Sequence, residues 1–176
     1  DLIERGCRVF NLNFQRKPLR KQNYVAYKEL QQIIEKEQYH VIHTHTPVAS
    51  AITRSVCKNI PRIKVFYTAH GLHFYKGAPL KNWLIYYPLE KWLSKYTDTL
   101  ITINHEDYEL AHKKMKAKKI VYVPGVGFDL GKFGNPIVDR VSKREELGIP
   151  NDRILLLSVG ELNKNKNHET IIRAIA

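Results

Sequence analysis

"VFYTAHGLHFYKG", Val65 to Gly77, begins as an apolar, β-branched run and breaks off at Ala69. Two imidazoles, His70 and His73, follow at once, with Gly71 between them and Phe74 and Tyr75 behind. A run of this kind is a strand that surfaces at its carboxyl end. The pattern recurs along the chain. "VIHTH" at 41–45, "TLITI" at 99–103, "KIVYV" at 119–123 and "RILLLSV" at 153–159 are short apolar runs, each ending in polar or glycine residues.

Helical periods lie between these runs. "YVAYKELQQIIEKEQ" at 24–38 places Tyr24, Tyr27, Leu30, Ile33 and Ile34 at helical spacing. "PVASAITRSVCKN" at 47–59 is a small-residue helix. "PLKNWLIYYPLEKWLSKY" at 79–96 is rich in aromatic residues, and its internal Pro88 is expected to kink it. Asn104 is a cap for "HEDYELAHKKMKA" at 105–117. Strands alternating with helices predict an α/β fold, an open, doubly wound parallel sheet covered on both faces. "DLIERGCRVFNL" at 1–12 opens as the last turn of a helix, a cap at Gly6 and a strand, so a truncated N-terminus is expected.

In an open α/β sheet, ligands sit outside the carboxyl ends of the strands. That rule gathers the candidate residues. His43 and His45 end one strand, and His70, Gly71 and His73 follow the next. Asn104 ends the third, Gly125 and Gly127 follow the fourth, and Gly160 to Asn167 follow the fifth. Gly71 lets backbone approach a ligand while His70 donates to an anion or hydroxyl. His73 is either a second ligand group or a surface residue. His43 is set apart as a core histidine bonded to backbone, and no catalytic metal is expected, because no Asp, Glu or Cys accompanies the histidines at ligand spacing. "GELNKNKNHE" at 160–169 offers Lys164, Lys166 and a helix start to a diphosphate, or else is a solvated polar loop. "PGVGFD" at 124–129 reads by itself as a turn.

The bulk numbers narrow the partners. Lys and Arg number 29 against 17 Asp and Glu, a formal charge of +12 that favours anionic partners. No helix-turn-helix or RNA-binding signature is present, so nucleic acid is not the expected one. No run approaches the roughly 20 apolar residues of a membrane span. Cys7 and Cys57 have no metal spacing and are expected as free thiols. Lysines interleaved with the aromatic residues of 74–96 suit a membrane interface and equally suit single-stranded nucleic acid, through stacking and phosphate pairing. The ordinary reading is that one face packs on the sheet, with about half of the aromatics in the core.

"VIHTHTPVASAITR", "VFYTAHGLHFYKGAPLKNWLIYYPLEKWLSKYTDTLITIN", "VYVPGVGFDLGKF" and "LLSVGELNKNKNHETIIRAI" together resemble bacterial glycosyltransferases of family 4, in the branch that builds capsular and exopolysaccharides. The resemblance runs in order over nearly the whole chain. It implies a GT-B fold of two Rossmann-like domains, with residues 1–150 most of the acceptor-side domain and 151–176 the start of the donor-side one. It also implies that the chain is a fragment, inactive alone.

By the same resemblance His70 is the catalytic histidine that reaches the donor sugar. Gly71, Gly160, Lys164 and Lys166 lie on the donor or its diphosphate, and His45, His73, Lys76, Asn104 and Gly127 line the cleft. Glu161 stands where the family carries arginine, which removes a positive charge from that loop. Asp129 is similar to the aspartate of a family turn. The implied chemistry is transfer from a nucleoside-diphosphate sugar to a polyprenyl-diphosphate-linked acceptor, with retention. No metal or other cofactor is expected, and the protein is placed in the cytoplasm against the inner, anionic face of the cell membrane. A nucleotide- or sugar-phosphate-binding module without transferase activity is the alternative.

Overall fold

The computed structural model describes residues 2–125, 127–134, 138–164 and 166–175. Val126 and Asn165, inside two of the loops quoted above, lie outside the described residues. The chain divides into two compact units, the first ending at Gly127 and the second beginning at Phe128.

The first unit is an α/β layer built on four parallel strands, β1 (Val41–His45), β2 (Lys64–Ala69), β3 (Thr99–Thr102) and β4 (Lys119–Tyr122). They lie side by side in sequence order. Parallel neighbours need a crossover, and each is helical. α2 (Pro47–Cys57), α3 (Leu80–Leu93) and α4 (His105–Lys114) make the three crossings, and α1 (Lys21–Glu37) precedes β1. The register aligns Thr44 with Tyr67, Tyr67 with Leu100, and Leu100 with Ile120.

This register determines the core. Val65, Tyr67 and Ala69 alternate along β2 and all point to the helical layer. Tyr67, Ala69, Leu72, Phe74, Leu100 and Ala111 form one buried cluster, with Trp83, Tyr86 and Tyr87 of α3 packed on it. Ile34, Val56, Cys57, Ile63 and Val65 form another between α1, α2 and the sheet. Cys57 is a free thiol, pushed up to about 11 by burial.

The helices observed here cover one face. On the other, His43 is exposed and Phe66, Ile101 and Val121 are only half-buried, because a strictly sequential strand order with crossovers of one hand carries all three connections to the same side. The Rossmann-like α/β class stands; a cover for the second face is not present among the described residues.

Local chemistry sets the helix ends. Asn104 caps α4 by accepting the Asp107 amide at 2.8 Å, and Pro47 occupies the first turn of α2. α1 ends at Gln38 in the left-handed region. α3 continues through Pro88 to Leu93.

The second unit holds α5 (Leu130–Phe133), α6 (Arg140–Glu146) and α7 (His168–Ile175). Asp139 caps α6 through the Ser142 amide at 2.9 Å. Buried Arg144 donates to the carbonyls of Pro150 and Arg153 at 2.6 Å each, tying that loop to α6. Two expected strands are absent here and in the first unit. Residues 153–159 and 7–12 form no ladder, and Ile154, Leu157 and Val159 expose 90%, 81% and 85% of their surface. An apolar run becomes a strand only where a neighbour completes its hydrogen bonds, and no described segment does so.

Candidate functional site

The stretch after β2 is held by its alternation. Leu72 and Phe74 are 7% and 0% exposed and sink into the core, while His70, Gly71 and His73 stay at the surface. Several bonds fasten this loop. The Leu72 amide donates to the buried carboxylate of Asp107 at 3.1 Å, and Asn104 Nδ2 donates to that carboxylate at 2.7 Å. Asn82 Nδ2 donates to the His73 carbonyl at 2.9 Å, and the Lys76 amide donates to Glu106 at 3.1 Å. Gly71 has a φ of +154°, a backbone that side-chain-bearing residues avoid, and an added Cβ would meet open space.

Three imidazoles form a row at the carboxyl edge of β1 and β2. His43 and His45 rings lie 4.4 Å apart, and His45 and His70 rings 5.3 Å apart. His45 Nδ1 and His70 Nε2 share a hydrogen bond of 3.0 Å. His43 Nε2 bonds Thr68 Oγ1 at 2.8 Å. Partial burial lowers the His45 pKa, and the neighbouring His43 and His70 lower it further, since a positive charge there would face two more imidazoles.

This corrects the expectation for His43. It is exposed and bonds a side chain, not backbone, and it belongs with His45: alternate residues of a strand share a face. Among the described residues no group of three His, Cys, Asp or Glu side chains is placed to hold a metal ion.

The other residues named from sequence fall in separate places. His73 turns from the imidazole row and stacks on Tyr86 at 5.0 Å. Asn104 is occupied as the α4 cap, and Lys76 and Gly127 are exposed. In the second unit Lys166 packs over Gly160, where an added Cβ would lie 3.2 Å from Lys166 Cγ. His168 completes that loop, bonding Ser158 Oγ at 2.7 Å and the Glu161 carbonyl at 3.2 Å. The Glu161 carboxylate accepts from Asn163 Nδ2 at 2.9 Å, and Lys164 is exposed.

Sequence reading missed three participants. Thr68 anchors the imidazole row. Asp107 supports the loop, and the Asn-x-x-Asp spacing of 104–107 resembles a capping box that could have drawn notice. Arg54, 1% exposed, pairs with Glu90 at 2.9 and 3.0 Å and lies 4.3 Å over the Tyr67 ring. Nothing local links residues 36 positions apart.

Thr46, between β1 and α2, has φ 60° and ψ 144°. A β-branched residue there is strained, and strain of this sort gathers at functional edges.

Residues 1–104 match the family model described as glycosyl transferase 4-like. The chain is 41% identical over 172 residues to a putative glycosyltransferase, EpsD, of Bacillus subtilis strain 168, covering 95% of this chain and 45% of that protein. It is 30% identical over 140 residues to a UDP-Gal:alpha-D-GlcNAc-diphosphoundecaprenol alpha-1,3-galactosyltransferase of Escherichia coli, covering 78% and 36%. A 41.2 kDa uncharacterized protein in the cps region of Klebsiella pneumoniae is 27% identical over 149 residues, covering 81% and 40%. The chain thus spans less than half the length of each of these relatives. With the family model matched over more than half the chain, and a parallel α/β sheet carrying its polar residues at the carboxyl edge, the protein belongs to the glycosyl transferase 4-like family.

Proposed function

We propose that a protein containing this chain transfers a sugar from a nucleoside-diphosphate sugar to a hydroxyl of a lipid-linked saccharide, with retention, in the assembly of a cell-surface polysaccharide. The observation that carries the reading is the His45–His70 pair, bonded at 3.0 Å at the carboxyl edge of a parallel sheet in a member of this family. The name of one relative supports the acceptor class: it is a galactosyltransferase acting on a GlcNAc-diphosphoundecaprenol.

In this reading His70 is oriented by His45 and offers an imidazole N–H to a donor-sugar hydroxyl. Partial burial and the neighbouring imidazoles lower the His45 pKa, which disfavours a positive charge on His45 itself. Transfer is limited by charge growing on the departing diphosphate, and fixed cations stabilise that charge best where water is excluded. Lys164 and Lys166, followed by the start of α7, are the groups assigned to it, and no metal is required in the scheme. Residues 1–150 would serve the acceptor side and 151–176 would begin the donor side. The 176 residues alone are assigned no turnover.

Docking at the anionic cytoplasmic face of the membrane completes the proposal. No described helix is long and apolar enough to cross a membrane. The outer side of α3 nevertheless exposes Leu80, Leu84 and Ile85 at 73%, 68% and 62%, with Lys81 and Lys95 nearby in sequence. Apolar groups flanked by lysines suit the headgroup boundary, not bulk water.

The test supplies membrane fractions from cells expressing the intact reading frame with radiolabelled nucleoside-diphosphate sugars and counts label in the lipid extract. Label above the level of cells lacking the gene supports the reading. No incorporation from any common donor contradicts it.

A further inference from the structure

A groove of about 490 Å³ opens between α1, α2, α3 and the loop after β2. That volume falls among ligand sites, which run from roughly 300 to 1,000 Å³. Its walls are apolar, including Tyr24 and Ile52 on two helices, Leu72 from the loop, and Tyr86 and Leu89 on the third. Leu89 is 42% exposed and leads onto the apolar outer side of α3. A neighbouring hollow of about 480 Å³ shares Pro18, Pro47, Val48, His73 and Tyr86 with it and adds Arg16 and strained Thr46.

The lip is cationic. Arg16, Arg20 and Lys21 are exposed, and none has an acidic partner among the described residues. Their loop is fastened to a buried side chain. Asn23, 5% exposed, accepts the Gln15 amide at 2.8 Å and donates to the carbonyls of Gln15, Lys17 and Pro18 at 3.3, 2.9 and 3.0 Å. Among the described residues that line the groove the one carboxylate, Glu90, is paired with Arg54.

We propose that this groove holds the isoprenoid chain of the lipid-linked acceptor. The diphosphate sits on Arg16 and Arg20 beside His73, and the chain leaves over Leu89 toward the bilayer. The inference rests on the lipid-linked acceptor of the previous section and adds where the lipid lies. Charge complementarity commits it to this occupant. A neutral apolar ligand would leave three cations unused, and a free nucleotide or sugar would leave the apolar walls facing water.

The test is photolabelling of the purified protein with a benzophenone-tagged farnesyl diphosphate, followed by peptide mapping. Label is expected on peptides carrying Tyr24, Ile52 or Leu89. Unlabelled farnesyl diphosphate should compete at concentrations about tenfold below those of farnesol, the worth of one charge-assisted hydrogen bond. The Arg16→Glu/Arg20→Glu variant should lose labelling by about the same factor or more. Ala51→Trp, which fills the trough, should abolish it, and Tyr24→Glu, at a position 66% exposed, is the second blocking variant if the first does not fold.

Label confined to other peptides, labelling indifferent to these variants, or equal competition by farnesol or by inorganic pyrophosphate overturns the proposal. Photolabelling needs neither donor nor turnover. A protein that labels in the groove but transfers no sugar therefore loses only the transferase reading. One that transfers sugar while label misses the groove loses only this inference.

Discussion

Replacing Glu90 by alanine should strand a buried charge. Arg54 is 1% exposed, and two of its hydrogen bonds end on Glu90, at 2.9 and 3.0 Å. In the variant the guanidinium keeps only the Ser50 carbonyl at 3.3 Å and the face of Tyr67 at 4.3 Å. Breaking one side of a buried pair costs about 3–5 kcal/mol. The Tyr67 ring offsets part of that, and Glu90, 13% exposed on the groove, admits some water where its carboxylate was. The expected loss is therefore at the lower end, about 3 kcal/mol.

Both tryptophans of the chain, Trp83 and Trp92, lie on α3, so tryptophan fluorescence reports the unit that holds the pair. At a urea slope of about 2 kcal/mol per molar, the unfolding midpoint should fall by about 1.5 M. The double variant Arg54→Met/Glu90→Leu, which removes both charges and keeps the volume, should recover most of the loss. A Glu90→Ala midpoint shifted by less than about 0.5 M, or a double variant no better than the single, would refute the reasoning. The pair would then belong with solvent-screened surface pairs worth about 0–1 kcal/mol.

Three further predictions concern the site. His45 should titrate below the ordinary histidine value of about 6.5 in an NMR pH series, and His43→Ala should raise its midpoint. Because the folded pKa is depressed, the contribution of His45 to stability is complete above 6.5 and is lost as pH falls through the folded value; a midpoint at or above 6.5 would contradict the geometry. Asp107→Ala should cost about 1–3 kcal/mol by leaving the Leu72 amide unpaired, with faster hydrogen exchange at Leu72, whereas Asn104→Ala should cost about 1 kcal/mol as a lost cap. Thr46→Gly should leave the melting temperature unchanged or raise it, since relief of about 1–3 kcal/mol of strain outweighs the added chain entropy; a clear fall would mean that Thr46 is not strained.

The four paired strands and the helices between them were legible because each carries its own signal: a β-branched run, an apolar period, or a cap such as Asn104. What local pattern cannot supply is the partner. Residues 153–159 are as apolar as any strand in the chain, but no described neighbour pairs with them. The carboxyl-edge rule brought His45 and His70 onto one side before any geometry was known, and the structure bonds them across 25 residues. Misplacing His43 was avoidable, for the two-residue period of a strand already puts it with His45.

Asn23 and Arg54 were invisible for a different reason. A polar residue in a helix reads as solvated surface unless its partners are known, and theirs come from a loop and from another helix. The basic loop at 16–21 read as part of a diffuse positive charge. Its meaning depends on an apolar groove assembled from three helices.

The most direct measurement of the central claim is sugar incorporation by the intact reading frame, wild type against His70→Ala, with circular dichroism confirming that both are folded. Counts in the lipid extract that collapse in the variant while the fold persists are the predicted result. Incorporation that survives the substitution unchanged would contradict the assignment of His70 to the donor sugar.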